Sequence, residues 1–277
     1  MSLPAPDATA LIPVPDAGVE LLELDRVSKS FGGIVACSKL SFSVSPGQIM
    51  GLIGPNGAGK TTVFNLVTGV YQPTSGRITF DGRENGRQRP DQLSGLGMAR
   101  TFQNIRLFRN LTVLDNVRIA LGRKAGYGLL QALFLAPSAS RAEIRVRQEA
   151  LEYLSLVGLA GKAGNRADSL PYGLQRKLEI ARALALNPKL LLLDEPAAGM
   201  NPEESLELVG LIRALHEKFH LTILLIEHHM DVVMELCDRI VVLNFGEKLA
   251  EGTPDEIQSN PLVLKAYLGE GYKRAAG

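Results

Sequence analysis

The chain has 277 residues, and its 30 Lys and Arg against 29 Asp and Glu give a formal net charge of +1. This balance argues against a nucleic-acid-binding protein that relies on overall positive charge, although it is compatible with a local basic patch. The length suits one large domain or two small ones. The two cysteines, Cys37 and Cys237, form no CxxC pair or Cys/His cluster, which argues against a disulfide framework or a zinc site.

Two segments differ from the rest of the chain in composition. Residues 1–18 are rich in Pro and Ala and lack a basic start and a long apolar core, so we expect a flexible leader and not a secretory signal. Residues 126–137 are the most apolar stretch, but a membrane-spanning helix needs roughly 20 such residues. This stretch is therefore interpreted either as a packed helix or as a contact surface for a membrane partner.

Strand patterns occur at both ends of the chain, whereas the central part is mostly helical. Alternating or continuous apolar residues predict strands, and helical spacing with capping residues predicts helices between them. The strands are predicted over residues 20–27, 39–45, 48–53, 78–80, 189–193, 221–226 and 239–244. The helices are predicted over residues 60–68, 174–186, 202–219 and 230–236, with two more opened by Thr112 with Asp115 and by a Ser140/Glu143 capping box. The whole is an α/β fold with a helical insertion and an antiparallel edge.

A glycine-rich loop follows the third predicted strand and precedes a helix. Residues 54–61 fit the pattern GxxxxGK[ST], in which backbone N–H groups and a helix N-terminus hold phosphate groups. Lys60 supplies a point charge for the terminal phosphates, Thr61 offers a hydroxyl to Mg²⁺, and Thr62 assists in positioning. The predicted nucleotide-binding residues of the loop are Gly54, Pro55, Asn56, Gly57, Ala58, Gly59, Lys60, Thr61 and Thr62.

Two acidic residues, Asp194 and Glu195, end the buried apolar run that starts at Lys189. The carboxyl ends of neighbouring parallel strands share one edge of a sheet, where ligands bind in such folds. Asp194 can then hold Mg²⁺ through water opposite Thr61, and Glu195 can accept a proton from the attacking water. Taken alone, the two acids would be interpreted as solvated strand ends; beside the phosphate loop they predict the catalytic half of a nucleotide site.

With these motifs in this order, the sequence resembles the ATP-binding subunits of ABC transporters from residue 20 to about residue 268. The resemblance implies a P-loop NTPase fold of the ABC type, with a parallel core sheet, an N-terminal antiparallel β subdomain and a helical subdomain at about residues 104–187. It implies one domain over residues 19–270 and a tail over 271–277. It also implies that ATP and Mg²⁺ are the cofactors.

The resemblance assigns further residues to the site. Phe31 lies where the family places an aromatic ring against adenine, although alone it would be read as core. Gln103 matches the Q-loop, which contacts Mg²⁺ and couples to the membrane subunit, and Asn201 matches the D-loop. His228 matches the switch histidine, which acts with Glu195, and the neighbouring His229 is the competing candidate.

Residues Pro171, Tyr172, Gly173 and Leu174 occupy the signature position, which in the family faces the ATP of the opposite subunit. Here Pro171 replaces the usual Ser and Leu174 the usual Gln. Pro171 has neither a hydroxyl nor an N–H group. We therefore expect the signature loop to hold ATP mainly through the Gly173 backbone and the N-terminus of the following helix.

Three stretches, at residues 99–108, 176–182 and 194–202, look like the larger ATPase subunit of branched-chain amino acid importers. That resemblance implies a second ATPase subunit, two integral membrane permeases, an indirect periplasmic binding protein and a peripheral place on the cytoplasmic face of the membrane. It implies no nucleic-acid partner. Urea and short-amide importers, other ABC transporters including exporters, and non-transport ABC ATPases remain the alternatives.

Overall fold

The computed structural model describes residues 20–85, 87–124 and 137–268. The expected leader and tail, and all but the last residue of the apolar stretch 126–137, lie outside the described residues. Within the described part of the chain, no helix is both long enough and apolar enough to cross a membrane.

Ten strands in the described part of the chain form two sheets. The strands are β1 (Leu22–Phe31), β2 (Ile34–Val44), β3 (Ile49–Ile53), β4 (Ser75–Phe80), β5 (Arg83–Glu84), β6 (Met98–Arg100), β7 (Leu190–Asp194), β8 (Thr222–Ile226), β9 (Arg239–Asn244) and β10 (Glu247–Gly252). The first sheet has the order β2-β1-β4-β5 and is antiparallel. The second has the order β10-β9-β3-β8-β7-β6 and is parallel except for its β10 edge. The predicted antiparallel β region and parallel core sheet are both confirmed.

Besides two short 3₁₀ helices at Ala160–Lys162 and Ala167–Ser169, nine α-helices complete the described structure. They are α1 (Lys60–Val67), α2 (Pro90–Gly95), α3 (Val113–Lys124), α4 (Pro137–Leu156), α5 (Tyr172–Leu184), α6 (Pro202–Phe219), α7 (Met230–Leu236), α8 (Pro254–Ser259) and α9 (Pro261–Leu268). Three of them, α3, α4 and α5, lie between β6 and β7 in the chain and pack against one another. This group is the helical insertion that the sequence predicted.

The parallel sheet is buried on both faces because alternate residues of its strands enter two different hydrophobic clusters. In β7, Leu191 and Leu193 pack with helices α3 to α7, whereas Leu190 and Leu192 pack with α1 and the antiparallel sheet. A continuous apolar strand is what this arrangement requires. The two layers hold the carboxyl ends of β3, β7 and β8 at one edge.

The predicted capping box at Ser140 and Glu143 is wrong. Helix α4 begins at Pro137, so Ser140 lies within it. Proline is favoured in the first turn of a helix because its fixed φ suits the helix and its missing N–H needs no partner there. The carboxylate of Glu143 instead accepts a hydrogen bond from Arg118 at 2.9 Å.

Candidate functional site

The parallel strands β3, β7 and β8 bring three predicted segments to one edge of the sheet. These strands are neighbours in the order β3-β8-β7, and they pair in register over most of their length. The glycine-rich loop follows β3, Asp194 ends β7 with Glu195 directly after it, and His228 follows β8 by two residues. The sheet therefore places these segments together at the edge where ligands bind in open parallel sheets.

The glycine-rich loop needs glycine where the backbone is left-handed or closely packed. Gly54 has a φ of +154°, and a Cβ there would lie 2.2 Å from the carbonyl oxygen of Leu243. Gly59 has a φ of +101°, and a Cβ there would lie 2.6 Å from the carbonyl oxygen of Ala36. Gly57 also has a positive φ, of +81°, but a Cβ there would meet open space. Gly59 then caps α1, whose N-terminus points into the loop.

Lys60 is the first residue of α1, and its side chain is buried. Its Nζ donates to the carbonyl oxygens of Gly54 at 2.6 Å and Pro55 at 3.0 Å. Burial lowers the pKa of the Lys60 ammonium, and the negative charge of Glu195 acts in the opposite direction. The next residues of the same turn, Thr61 and Thr62, are exposed and half-buried.

Gln103, Glu195 and His228, predicted as the catalytic residues, form one cluster. Nε2 of Gln103 donates to Oε2 of Glu195 at 2.7 Å, and Nε2 of His228 lies 2.9 Å from Oε1 of Glu195. Glu195 has a φ of +48°, and its backbone N–H donates to the carbonyl of Ile226 in β8. A non-glycine residue in the left-handed region is unusual and often marks a functional position.

The second predicted acid, Asp194, is paired with a residue that the sequence analysis did not single out. Nη2 of Arg100 lies 2.7 Å from Oδ2 of Asp194, and both side chains are almost fully buried. Nη1 of the same Arg100 donates to Oδ1 of Asn65 at 2.7 Å and to Thr68 at 3.3 Å. Arg100 therefore ties the end of β7 to helix α1, which carries the phosphate-loop lysine.

The two neighbouring histidines have different partners. His228 contacts Glu195, whereas Nδ1 of His229 lies 3.2 Å from the buried carboxylate of Glu227. That carboxylate also accepts the backbone N–H groups of His228 at 2.8 Å and of Ala197 at 2.8 Å. Of the two candidates, the geometry places His228 at the carboxylate cluster and makes Glu227 the anchor of the turn that holds it.

Phe31 lies at the end of β1 and is 41% exposed. Its ring packs edge-on against Tyr71 with 5.1 Å between ring centroids, and Nζ of Lys29 lies 5.0 Å from the Phe31 centroid. Tyr71 belongs to no motif in the sequence. An exposed aromatic ring held by a second ring is a suitable platform for stacking.

The signature residues begin helix α5. Pro171 is its N-cap, with a φ of −51° and a ψ of +152°, and Tyr172 and Pro171 are exposed, whereas Gly173 and Leu174 are half-buried. The hydroxyl of Tyr172 accepts a hydrogen bond from Arg176 at 3.1 Å.

Asn201, the predicted D-loop residue, is the N-cap of α6. Its Oδ1 accepts the backbone N–H of Glu204 at 2.9 Å, and Glu204 accepts the N–H of Asn201 in return. This is a complete capping box. A Cβ on Gly173 would lie 3.5 Å from the Glu204 carboxylate, so the starts of α5 and α6 are adjacent.

The donor set suits a hard cation that binds oxygen. Asp194 offers a carboxylate, Thr61 a hydroxyl and Gln103 an amide oxygen, since the Gln103 nitrogen is bonded to Glu195. Oxygen ligands with one or two carboxylates are what Mg²⁺ takes beside phosphate groups. Among the residues that the structure describes, no group of three or more His, Cys, Asp or Glu could hold a metal by itself.

Comparisons with known proteins identify the family of the chain. The sequence model of the family described as "ABC transporter" matches residues 37–198, and one described as "Branched-chain amino acid ATP-binding cassette transporter" matches residues 247–273. The high-affinity branched-chain amino acid transport ATP-binding protein BraF of Pseudomonas aeruginosa is 45% identical over 90% of this chain and 98% of its own length. The corresponding protein LivG of Escherichia coli gives the same identity and the same coverage.

A solved structure supports the fold as well. The crystal structure of the ADP conformation of MJ1267, an ATP-binding cassette of an ABC transporter, is 32% identical, with a TM-score of 0.78. It covers 91% of this chain and 100% of its own. Both the family model and the full-length relatives identify the same group of nucleotide-binding proteins, and the chain belongs to the ABC transporter family.

Proposed function

We propose that this chain is the ATP-binding and ATP-hydrolysing subunit of an importer for branched-chain amino acids. The observation that carries the proposal is the position of Glu195, whose two carboxylate oxygens contact Gln103 and His228 beside the phosphate loop. This arrangement supplies a base and two positioning groups at the place where a terminal phosphate would lie. The importer assignment is supported by relatives that match along nearly their whole length.

In the proposed reaction, Glu195 accepts the proton of the attacking water, and His228 and Gln103 keep its carboxylate and the water aligned. Phosphoryl transfer depends mainly on positioning and charge neutralisation. Thr61, Asp194 and Gln103 would hold Mg²⁺, which supplies charge neutralisation at the phosphates when bound. Lys60 adds a second positive charge after it exchanges the carbonyls of Gly54 and Pro55 for phosphate oxygens.

The rest of the nucleotide is held by two further features. The exposed ring of Phe31, supported by Tyr71, offers a surface for adenine. The backbone N–H groups of residues 54–62 and the N-terminus of α1 hold the phosphates. Together with Lys60, these groups account for binding, whereas Glu195 accounts for turnover.

We infer that the working unit contains a second ATPase subunit. The exposed signature turn, with Pro171 and Tyr172 at the start of α5, is available to close on the nucleotide of that partner. Because the closed pair would bind ATP more tightly than ADP, ATP binding would shift the pair toward closure and drive the membrane subunits. The proposed complex adds two permeases and, indirectly, a periplasmic binding protein, so that this chain docks peripherally on the cytoplasmic side.

The substrate belongs to the permeases and the binding protein, because no residue of this chain is proposed to touch it. The branched-chain family model at residues 247–273 favours leucine, isoleucine and valine over urea or short amides. The importer assignment also sets aside exporters and non-transport ABC ATPases.

The test is to co-express the chain with its neighbouring permease and ATPase genes, purify the complex and reconstitute it in liposomes. We expect ATP-dependent uptake of leucine, isoleucine and valine, and loss of uptake with Lys60→Ala. Uptake of urea or amides alone would overturn the substrate assignment. A chain that does not co-purify with any integral membrane subunit would overturn the transport role.

A further inference from the structure

A fully buried arginine in helix α5 holds the backbone of the segment that carries Gln103. Arg176 is 0% exposed. Its Nη1 donates to the carbonyl oxygen of Phe102 at 2.7 Å, and its Nη2 donates to the carbonyl oxygen of Gln103 at 2.8 Å and to the Tyr172 hydroxyl at 3.1 Å. We call residues 102–106 the Gln103 segment. One guanidinium thus donates to two consecutive carbonyls of this segment and to the hydroxyl of Tyr172 in the signature turn.

The partner of this arginine holds the same segment from its N–H side. Oε2 of Glu179 accepts from Nη1 of Arg176 at 2.7 Å, and Oε1 of Glu179 accepts the backbone N–H groups of Phe102 at 3.4 Å and Arg106 at 3.3 Å. Glu179 is 2% exposed. We call Arg176 and Glu179 the clasp.

The energetics of the clasp argue for a role beyond stability. A buried ion pair is costly to desolvate, and well-packed apolar residues often replace one with no loss, or even a gain, of stability. Each charged group of the clasp contacts residues of the Gln103 segment, 73 to 77 positions away in the chain. The bidentate shape of arginine suits two fixed acceptors better than a lysine ammonium does. The clasp therefore specifies geometry.

The clasp joins two functional segments of the chain. On one side is Gln103, whose side chain donates to Glu195 at 2.7 Å. On the other side is the signature turn, through Tyr172 and the first turn of α5. A shift of the Gln103 backbone relative to α5 would break at least two hydrogen bonds to the clasp.

We propose that Arg176 and Glu179 are positioning residues that hold the Gln103 segment and the signature turn as one unit. The clasp sets Gln103 against Glu195 for this chain's own ATP, and the same bonds orient the turn that meets the partner's ATP. The inference rests on the proposed function, because it places the clasp in the same hydrolytic cycle.

The main test uses the double substitution Arg176→Met with Glu179→Met in the assembled transporter. It removes both charges of the pair together, but it leaves the backbone carbonyls and amides that the clasp bonds without their partners, so we expect a thermal unfolding midpoint modestly below that of the wild type. ATP affinity should stay within about twofold, whereas kcat should fall by roughly tenfold or more, because loss of positioning affects the chemical step. Lys177→Met is the matched control, since Lys177 is the next residue of α5 and pairs with the exposed Glu207.

Two further measurements keep the test decisive if the double variant folds poorly. Arg176→Lys retains the charge but cannot bond both carbonyls and Tyr172 at once, so an intermediate kcat at unchanged ATP affinity is expected. Hydrogen exchange should show faster exchange of the Phe102 and Arg106 amides in the double variant, which lacks their Glu179 acceptor, with the amides of α1 unchanged.

Three results would overturn the proposed positioning role of the clasp. These are a folded double variant with wild-type kcat, an Arg176→Lys variant with wild-type kcat, and a parallel loss of ATP affinity and turnover, which would indicate a purely structural pair. The proposed function fails separately. A wild-type complex that hydrolyses ATP but transports no branched-chain amino acid would refute the substrate assignment, and the clasp experiment could still be carried out.

Discussion

Nε2 of His228 lies 2.9 Å from Oε1 of Glu195, and the two residues come from segments that follow different strands. The other oxygen of Glu195 accepts from Gln103, which follows a third strand. The parallel sheet brings these segments together, and Glu227 fixes the turn that carries His228. Three distant parts of the chain therefore build the Glu195 cluster jointly.

The glycines of the phosphate loop should differ in their tolerance of a side chain. Gly54→Ala should lower the free energy of unfolding by roughly 2–4 kcal/mol, because its Cβ would lie 2.2 Å from the Leu243 carbonyl oxygen. Gly57→Ala, the matched control, should cost only about 1 kcal/mol, because it faces open space and strains φ alone. Urea denaturation checks both variants, and equal losses would contradict the loop geometry.

Removing Arg100 should destabilise the chain in a way that a bound metal relieves. Arg100→Met leaves the buried carboxylate of Asp194 without its cation, which should cost roughly 3–5 kcal/mol. Mg²⁺ with ATP should then raise the unfolding midpoint more in the variant than in the wild type, because the cation supplies the missing positive charge. ATP with EDTA is the control, and an identical rise in both proteins would contradict a metal at Asp194.

Pro171→Ser should change turnover of the assembled pair by less than about tenfold, because in the proposed pair the N-terminus of α5 would hold the partner's phosphate without a side chain at this position. Steady-state ATP hydrolysis of the complex measures this effect. A rise of several hundredfold would show that the missing hydroxyl limits the partner site, and that the backbone alone is a poor clamp.

Both cysteines should resist thiol reagents in the folded chain. Burial raises the pKa of the Cys37 thiol to about 11 and that of Cys237 to about 12. Since both pKa values lie above 8, the reactive thiolate is scarce at pH 8 and becomes common only at strongly alkaline pH. Labelling with a chromogenic disulfide should be slow in buffer and complete in denaturant, whereas rapid labelling of the native chain would contradict this burial.

Much of the fold follows from local pattern. The strand β7 is continuous in apolar residues because both of its faces are buried, and Asn201 with Pro202 predicts the start of α6 directly. The Ser140 prediction failed because Pro137 offers an earlier start, and β10, α8 and α9 were missed in a segment without strong periodicity.

The site was predicted only in part. Motifs indicate the residues proposed to contact the ligand, but not the residues that hold those side chains in position. Arg100, Arg176 and Glu179 lie in stretches that resemble the subfamily, but the resemblance assigns them no role, and Glu227 lies outside those stretches. Their roles arise from contacts between residues far apart in the sequence. A charged residue inside an otherwise apolar helical pattern, such as Glu179, is the one signal that could have indicated a buried partner.

The most direct test of the central claim is single-turnover and steady-state hydrolysis by Glu195→Gln in the reconstituted transporter, with Glu207→Gln as the exposed control. Loss of the proton acceptor should lower turnover by roughly 100-fold or more while ATP affinity is kept, and the closed pair should accumulate. Hydrolysis by Glu195→Gln at the wild-type rate would contradict Glu195 as the base and the reaction built on it.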